Sequence, residues 1–252
     1  MHYYEGIFPK GRKLKMNAII FYSNTSQSKA VADLFLDELH WDSYDLNNRT
    51  HREWLRTTSL ERAILVFPIY CQGIPKAVEE ILEHLQACYL TVVATYGKMC
   101  YARVIYEIQE RYTAGKIIAA AYLPMKHSYV DEKSEPPSLD CLQDIIRKNL
   151  DAHPSKVLIE RTYKNPLSNI CKDIRSRLGV KILFDKAKCN GCKKCEKECL
   201  YGAISSGKTN RKCIRCLKCV TNCPNGALTY RPRLPMRLYL KKKQINEIKI
   251  YV

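Results

Sequence analysis

Thirteen cysteines stand in the 252-residue sequence, and eight of them fall in two runs of one spacing. Cys189, Cys192, Cys195 and Cys199 read C-x2-C-x2-C-x3-C, and Cys213, Cys216, Cys219 and Cys223 repeat the pattern 24 residues later. Aligning Cys189–Ile204 with Cys213–Leu228 gives seven identities in sixteen positions, four of them Cys, a duplication that implies two equivalent sites. Three thiolates two residues apart can wrap a compact loop around three irons of a cubane, which leaves the fourth iron to a thiolate from elsewhere. Zinc sites pair C-x2-C units instead, and four cysteines per run exceed what a tetrahedral ion needs. A disulfide framework belongs to short secreted chains, and this chain is neither short nor led by an evident secretory signal.

The region from Val180 to Tyr230 resembles bacterial-type two-cluster ferredoxin. In that family the fourth Cys of each run ligates the other cluster. The resemblance therefore implies one [4Fe-4S] cluster on Cys189, Cys192, Cys195 and Cys223, and a second on Cys213, Cys216, Cys219 and Cys199. Flanking strands are expected at Val180 to Phe184 and Ala227 to Tyr230. One departure stands out: Leu200 follows Cys199, whereas Cys223 is followed by the family's proline, Pro224. The other cysteines, Cys71, Cys88, Cys100, Cys141 and Cys171, read as small apolar fillers, with a redox role for Cys71 as the alternative. The six histidines show no metal-like spacing.

The chain ahead of these runs is of another kind. Short apolar runs at Ala18–Tyr22, Ala63–Phe67, Leu90–Thr95 and Ile117–Tyr122 read as buried strands, with a weaker one at Trp41–Leu46. Between them apolar residues recur at helical spacing: Val31, Leu34, Phe35 and Leu39; Val78, Ile81, Leu82 and Leu85; Tyr101, Val104, Ile105, Ile108 and Tyr112; and finally Leu142, Ile145, Ile146 and Leu150. Continuous apolar strands alternating with amphipathic helices imply a parallel sheet covered on both faces. Ligands in such folds sit where the carboxyl ends of strands meet the following loops. The first loop, Ser23 to Ser28, is rich in hydroxyls and opens a helix. Its unpaired N–H groups and the helix dipole suit a phosphate, although the same residues also serve as ordinary helix caps. Two further loops, Pro68 to Pro75 and Thr95 to Lys98, each set a Tyr beside a Gly and could offer an aromatic wall to a flat ring.

The three loops together resemble flavodoxin over roughly 16–152. The resemblance implies FMN as cofactor, with its phosphate on Ser23, Thr25, Ser26, Gln27 and Ser28. Pro68, Ile69, Tyr70, Gly73, Thr95, Tyr96 and Gly97 would flank its ring. Ser26 and Gln27 stand where the family pattern usually has Gly and Asn. The expected fold is thus α/β: a flavodoxin-like doubly wound parallel sheet (16–152), a connector (153–179) with a short helix near Ile170 to Leu178, a small α+β two-cluster ferredoxin domain (180–230) and a basic tail (231–252). The whole resembles the flavodoxin–ferredoxin fusion proteins of anaerobic bacteria and archaea. That implies an electron-transfer protein passing electrons between FMN and two [4Fe-4S] clusters and on to protein partners. Two alternatives are a flavin-dependent reductase of a quinone or other small acceptor, and a ferredoxin carried on an empty flavodoxin-like docking domain. No P-loop, dinucleotide fingerprint or Ser/His/Asp constellation is present.

Charge separates the halves as sharply as cysteine does. Residues 1–160 hold 19 Lys and Arg against 20 Asp and Glu, whereas residues 161–252 hold 23 against 5. With eight thiolates and two oxidised cluster cores the second half still carries about +14. An acidic redox protein is the expected partner, met faster through complementary fields. Nucleic acid is the weaker reading, because no groove-reading or base-stacking motif accompanies the basic tail, and an anionic membrane surface is the other. No apolar stretch is long enough to span a bilayer, no secretory signal is evident, and a cytoplasmic protein is expected, with the first fifteen residues a disordered extension or, alternatively, translation beginning at Met16.

Overall fold

The computed structural model describes residues 16–130, 138–163, 165 and 172–252. The extension before Met16 lies outside these residues, as do Pro166, Ile170 and Cys171 of the connector.

Five strands alternate with helices through the first half: β1 (Asn17–Phe21), α1 (Gln27–Leu39), β2 (Asp42–Asp45), α2 (Arg49–Thr57), β3 (Ser59–Pro68), α3 (Lys76–Leu82), β4 (Gln86–Tyr96), α4 (Val104–Arg111), β5 (Lys116–Pro124) and α5 (Gln143–Leu150). These strands are parallel, in the order β5-β4-β3-β1-β2. Strand residues of opposite parity feed the two faces. Ala18, Ile20, Leu65 and Val92 pack under α3 and α4, and Ile19, Phe21, Ile64 and Val93 pack under α1 and α5. Both faces being covered is why these strands read as continuous apolar runs rather than alternating ones. α2 gave no readable period, because Leu55 is its one buried residue among charged neighbours.

The second half begins with α6 (Lys172–Gly179) and β6 (Val180–Phe184). α7 (Lys194–Lys197), β7 (Ile204–Ser205), β8 (Lys208–Thr209), α8 (Lys218–Thr221) and β9 (Leu228–Pro232) follow. β6 pairs with β9 and β7 with β8, both antiparallel.

The connector and the tail differ from the plain linker and tail that their composition suggests. Val157 and Ile159 are buried in the sheet's core, and the Val157 N–H donates to the Ile117 carbonyl at 2.9 Å. The segment 231–252 forms α9 (Leu234–Leu240) and then β10 (Lys249–Tyr251), which joins the main sheet antiparallel to β5. The cysteine-bearing unit is therefore held to the sheet at both of its ends. Among the described residues no helix is long and apolar enough to cross a membrane.

Candidate functional site

The chain order reverses at the carboxyl ends of β1 and β3, and a cavity of about 480 Å³ opens there. Ser23, Thr25, Gln27, Ser28, Pro68, Ile69, Tyr70, Thr95, Tyr96 and Gly97 all line it. Ser26 and Gly73 do not, and their roles are in the backbone. Ser26 holds φ +63°, the left-handed conformation that a glycine adopts without cost, and its side chain caps nothing. In the second loop the left-handed residues are Cys71 and Gln72 rather than a glycine; Gly73 instead closes the turn by exchanging two backbone hydrogen bonds with Tyr70. Gly97 is required by space: a Cβ there would lie 2.7 Å from the His127 ring.

Tyr96 departs from its expected part as an open aromatic wall. It is 2% exposed, packs edge-on against Tyr101, and donates its hydroxyl to the Glu247 carbonyl at 2.6 Å. Tyr70 is held by Asn24, whose Nδ2 donates to its hydroxyl at 3.2 Å. The Ser28 and Thr95 hydroxyls are 2.8 Å apart. The amide oxygens of Gln27 and Gln72 are buried without a hydrogen-bond partner. Three cations also border the space, Lys126, Arg175 and Arg215, none of which sequence reasoning assigned. Lone basic residues far apart in the chain leave no local signal. Burial pushes the His127 imidazole down to about 4, so this wall residue is neutral.

The two cysteine runs share one backbone course. Left-handed residues recur at matching positions, Gly191 with Arg215, Lys193 with Leu217, and Gly202 with Gly226. Hydrogen bonds recur too: Gly202 N–H to the Cys199 carbonyl, and Gly226 N–H to that of Cys223. Cys199, Cys213, Cys216 and Cys219 line one small second cavity with Tyr22, Asn24 and Tyr201. Burial, then neighbouring thiolates, pushes the Cys219 thiol up to about 12, and burial pushes Cys216 up to about 11. Iron binding at such thiols must release protons. Of the other four, Cys189 and Cys192 are exposed, and Cys195 and Cys223 half-buried. Among the described residues no three metal-binding side chains gather around a point that one ion could fill.

Asn24, Ile214, Arg215 and Cys216 border both cavities. Asn24 Nδ2 also donates to the Tyr22 hydroxyl at 2.8 Å, and that hydroxyl lies 3.3 Å from the Tyr201 hydroxyl. Burial holds the Tyr22 phenol protonated, its pKa pushed well up. Leu200, standing where the other run has proline, packs against the core of the large sheet.

Residues 181–204 and 209–229 each match the model of a 4Fe-4S binding domain. The C-terminal region carries two 4Fe-4S ferredoxin domains. An iron–sulfur electron-transfer role follows for it. No curated protein matches the chain. Among solved structures, the Trp repressor binding protein from Bacillus subtilis is similar with a TM-score of 0.33 and 12% identity, over 44% of this chain and 85% of that one, a likeness too slight to carry an argument.

Proposed function

We propose that the chain is an electron carrier joining an FMN site in the large cavity to two [4Fe-4S] sites. A near site is formed by Cys199, Cys213, Cys216 and Cys219, and a far one by Cys189, Cys192, Cys195 and Cys223. The observation that carries this reading is the shared wall: Cys216 belongs to the cysteine cavity and borders the larger one as well. The strand order β2-β1-β3-β4-β5 is the flavodoxin-like one, and the cavity lies at its switch point.

The residues present suit FMN. The Ser23–Ser28 loop leads into a thirteen-residue helix with no acidic residue in its first turn, which favours a phosphate. Lys126, Arg175 and Arg215 add positive charge, and the orphaned oxygens of Gln27 and Gln72 can accept from ring N–H or ribityl hydroxyl groups. FMN, when bound, supplies exchange of one or two electrons, and each cluster supplies exchange of one. The chain orders them. Asn24 fixes Tyr70 on one side of the partition and Tyr22 on the other, and Tyr201 ties the near cysteines to that partition. The basic C-terminal half attracts an acidic redox protein.

Anaerobic purification followed by iron, acid-labile sulfide and flavin analysis of one sample tests this. About eight irons and one FMN per chain are expected. Eight irons without flavin, even after FMN titration, would favour a ferredoxin on an empty docking domain.

A further inference from the structure

The roof over the large cavity has an outer side. α6 and α9 pack on each other, close enough that a Cβ at Gly179 would meet the Met236 Cε at 2.9 Å. Arg175, Ser176, Leu178 and Gly179 of α6 and Pro235, Met236 and Tyr239 of α9 line the cavity. On the outer side Ile174 of α6 is 44% exposed and Leu234 and Leu238 of α9 are 59% and 56% exposed, while Leu178, 57% exposed, stands at the rim of the cavity. Leu234 and Leu238 are four residues apart and so share one side of α9. Arg177, Arg233, Arg237 and Lys241 to Lys243 lie on or just beyond the same two helices, whose one acidic residue is Asp173.

We propose that this outer side of α6 and α9 docks an acidic redox protein, as a second terminal of the carrier distinct from the exposed loop of Cys189 and Cys192. The inference rests on the reading that FMN fills the cavity beneath. An apolar centre with a charged rim is the anatomy of a protein interface, and a rim whose bases far outnumber its one acid, Asp173, selects an acidic partner. A second copy of this chain would set like charges face to face. A membrane surface suits the face less, since α6 and α9 have eight and seven residues and carry no Trp or Phe to anchor in headgroups. A helix is about 10 Å across, so a partner on the roof stands about one helix diameter from the cavity. Each transfer there oxidises the partner by one electron and reduces the chain by the same one.

The test uses the full-length holoprotein with a small acidic two-cluster ferredoxin as probe. Binding is followed by calorimetry and electron transfer from the reduced probe by stopped flow. The charge-neutral pair L234S/L238S and the pair R233E/R237E should each weaken binding about tenfold and slow transfer. K186E/K208E makes the same charge change as the arginine pair but away from the roof, and should alter binding less than about twofold. Roof variants that bind like the wild type, or no worse than K186E/K208E, overturn the proposal. So does pelleting with phosphatidylglycerol vesicles that L234S/L238S abolishes, if the probe does not bind. Weakened binding with unchanged transfer would leave the docking face standing and count against flavin beneath it.

Discussion

The two cysteine runs began as copies and now face different surroundings. Each loop needs left-handed residues at its third and fifth positions. The far loop fills them with Gly191 and Lys193, both exposed, and nothing lies within 4 Å of a Cβ built at Gly191. At the same positions the near loop has Arg215 and Leu217. A side chain there costs about 1–2 kcal/mol of backbone strain. Arg215 offsets this through hydrogen bonds from its Nε to the Val180 carbonyl and from its Nη1 to Thr209, both 3.0 Å, while its own carbonyl accepts from Tyr129 at 2.7 Å. Leu217 is 3% exposed. After the fourth cysteine the contrast inverts between the runs: Leu200 and Tyr201 of the first reach the large sheet, whereas Pro224 and Asn225 of the second stay in solvent, as the proposed exchange of the fourth cysteines between near and far sites requires. Backbone geometry follows the cluster-binding loop, and side-chain chemistry follows what that loop faces.

The largest effects separate the two cysteine sets. C216A should remove the near cluster, taking iron from about eight to about four per chain, and should cut the flavin off from electrons entering at the far end. C192A should cost the same iron, yet leave the remaining cluster in exchange with the flavin. Iron analysis with anaerobic flavin-bleaching kinetics measures both, and identical kinetics for the two variants would break the near–far distinction. A smaller effect is expected at the proline position. L200A should lower the holoprotein's stability by about 1–2 kcal/mol, the scale for a half-buried leucine, whereas P224A should stay within about 0.5 kcal/mol. Chemical denaturation of the two side by side checks this, and equal losses would deny Leu200 its docking part. G191A should cost about 1 kcal/mol through its left-handed φ alone, since the space around it is open. The smallest change is a gain: S26G should stabilise the fold by about 0.5–1 kcal/mol, because its φ of +63° then carries no strain, and a raised thermal midpoint checks it.

Much of this was legible from residues in order. The Cys spacing set the two runs side by side, and the ends of β6 came out as the apolar run placed them, at Val180 and Phe184. Ten of the twelve loop residues assigned to a flavin line one cavity, because a parallel sheet gathers the carboxyl ends of its strands at one edge. The misses share a cause. α2 buries a single leucine, and β10 is three residues long, so neither carries a period to read. Tyr96 looked like a free aromatic wall because Glu247, which accepts its hydroxyl, lies 151 residues away.

Sequence by itself therefore determined the metal chemistry and the alternation of strands and helices, since spacing and period are local properties of the chain. Only the tertiary structure decided that Cys199 of the first run turns inward with Cys213, Cys216 and Cys219 of the second, why Leu200 replaces a proline, and that the basic tail roofs a cavity and ends as a strand of the large sheet. Those outcomes depend on contacts between residues far apart in the chain, such as Tyr22 with Tyr201 and Tyr122 with Lys249, which no local pattern encodes.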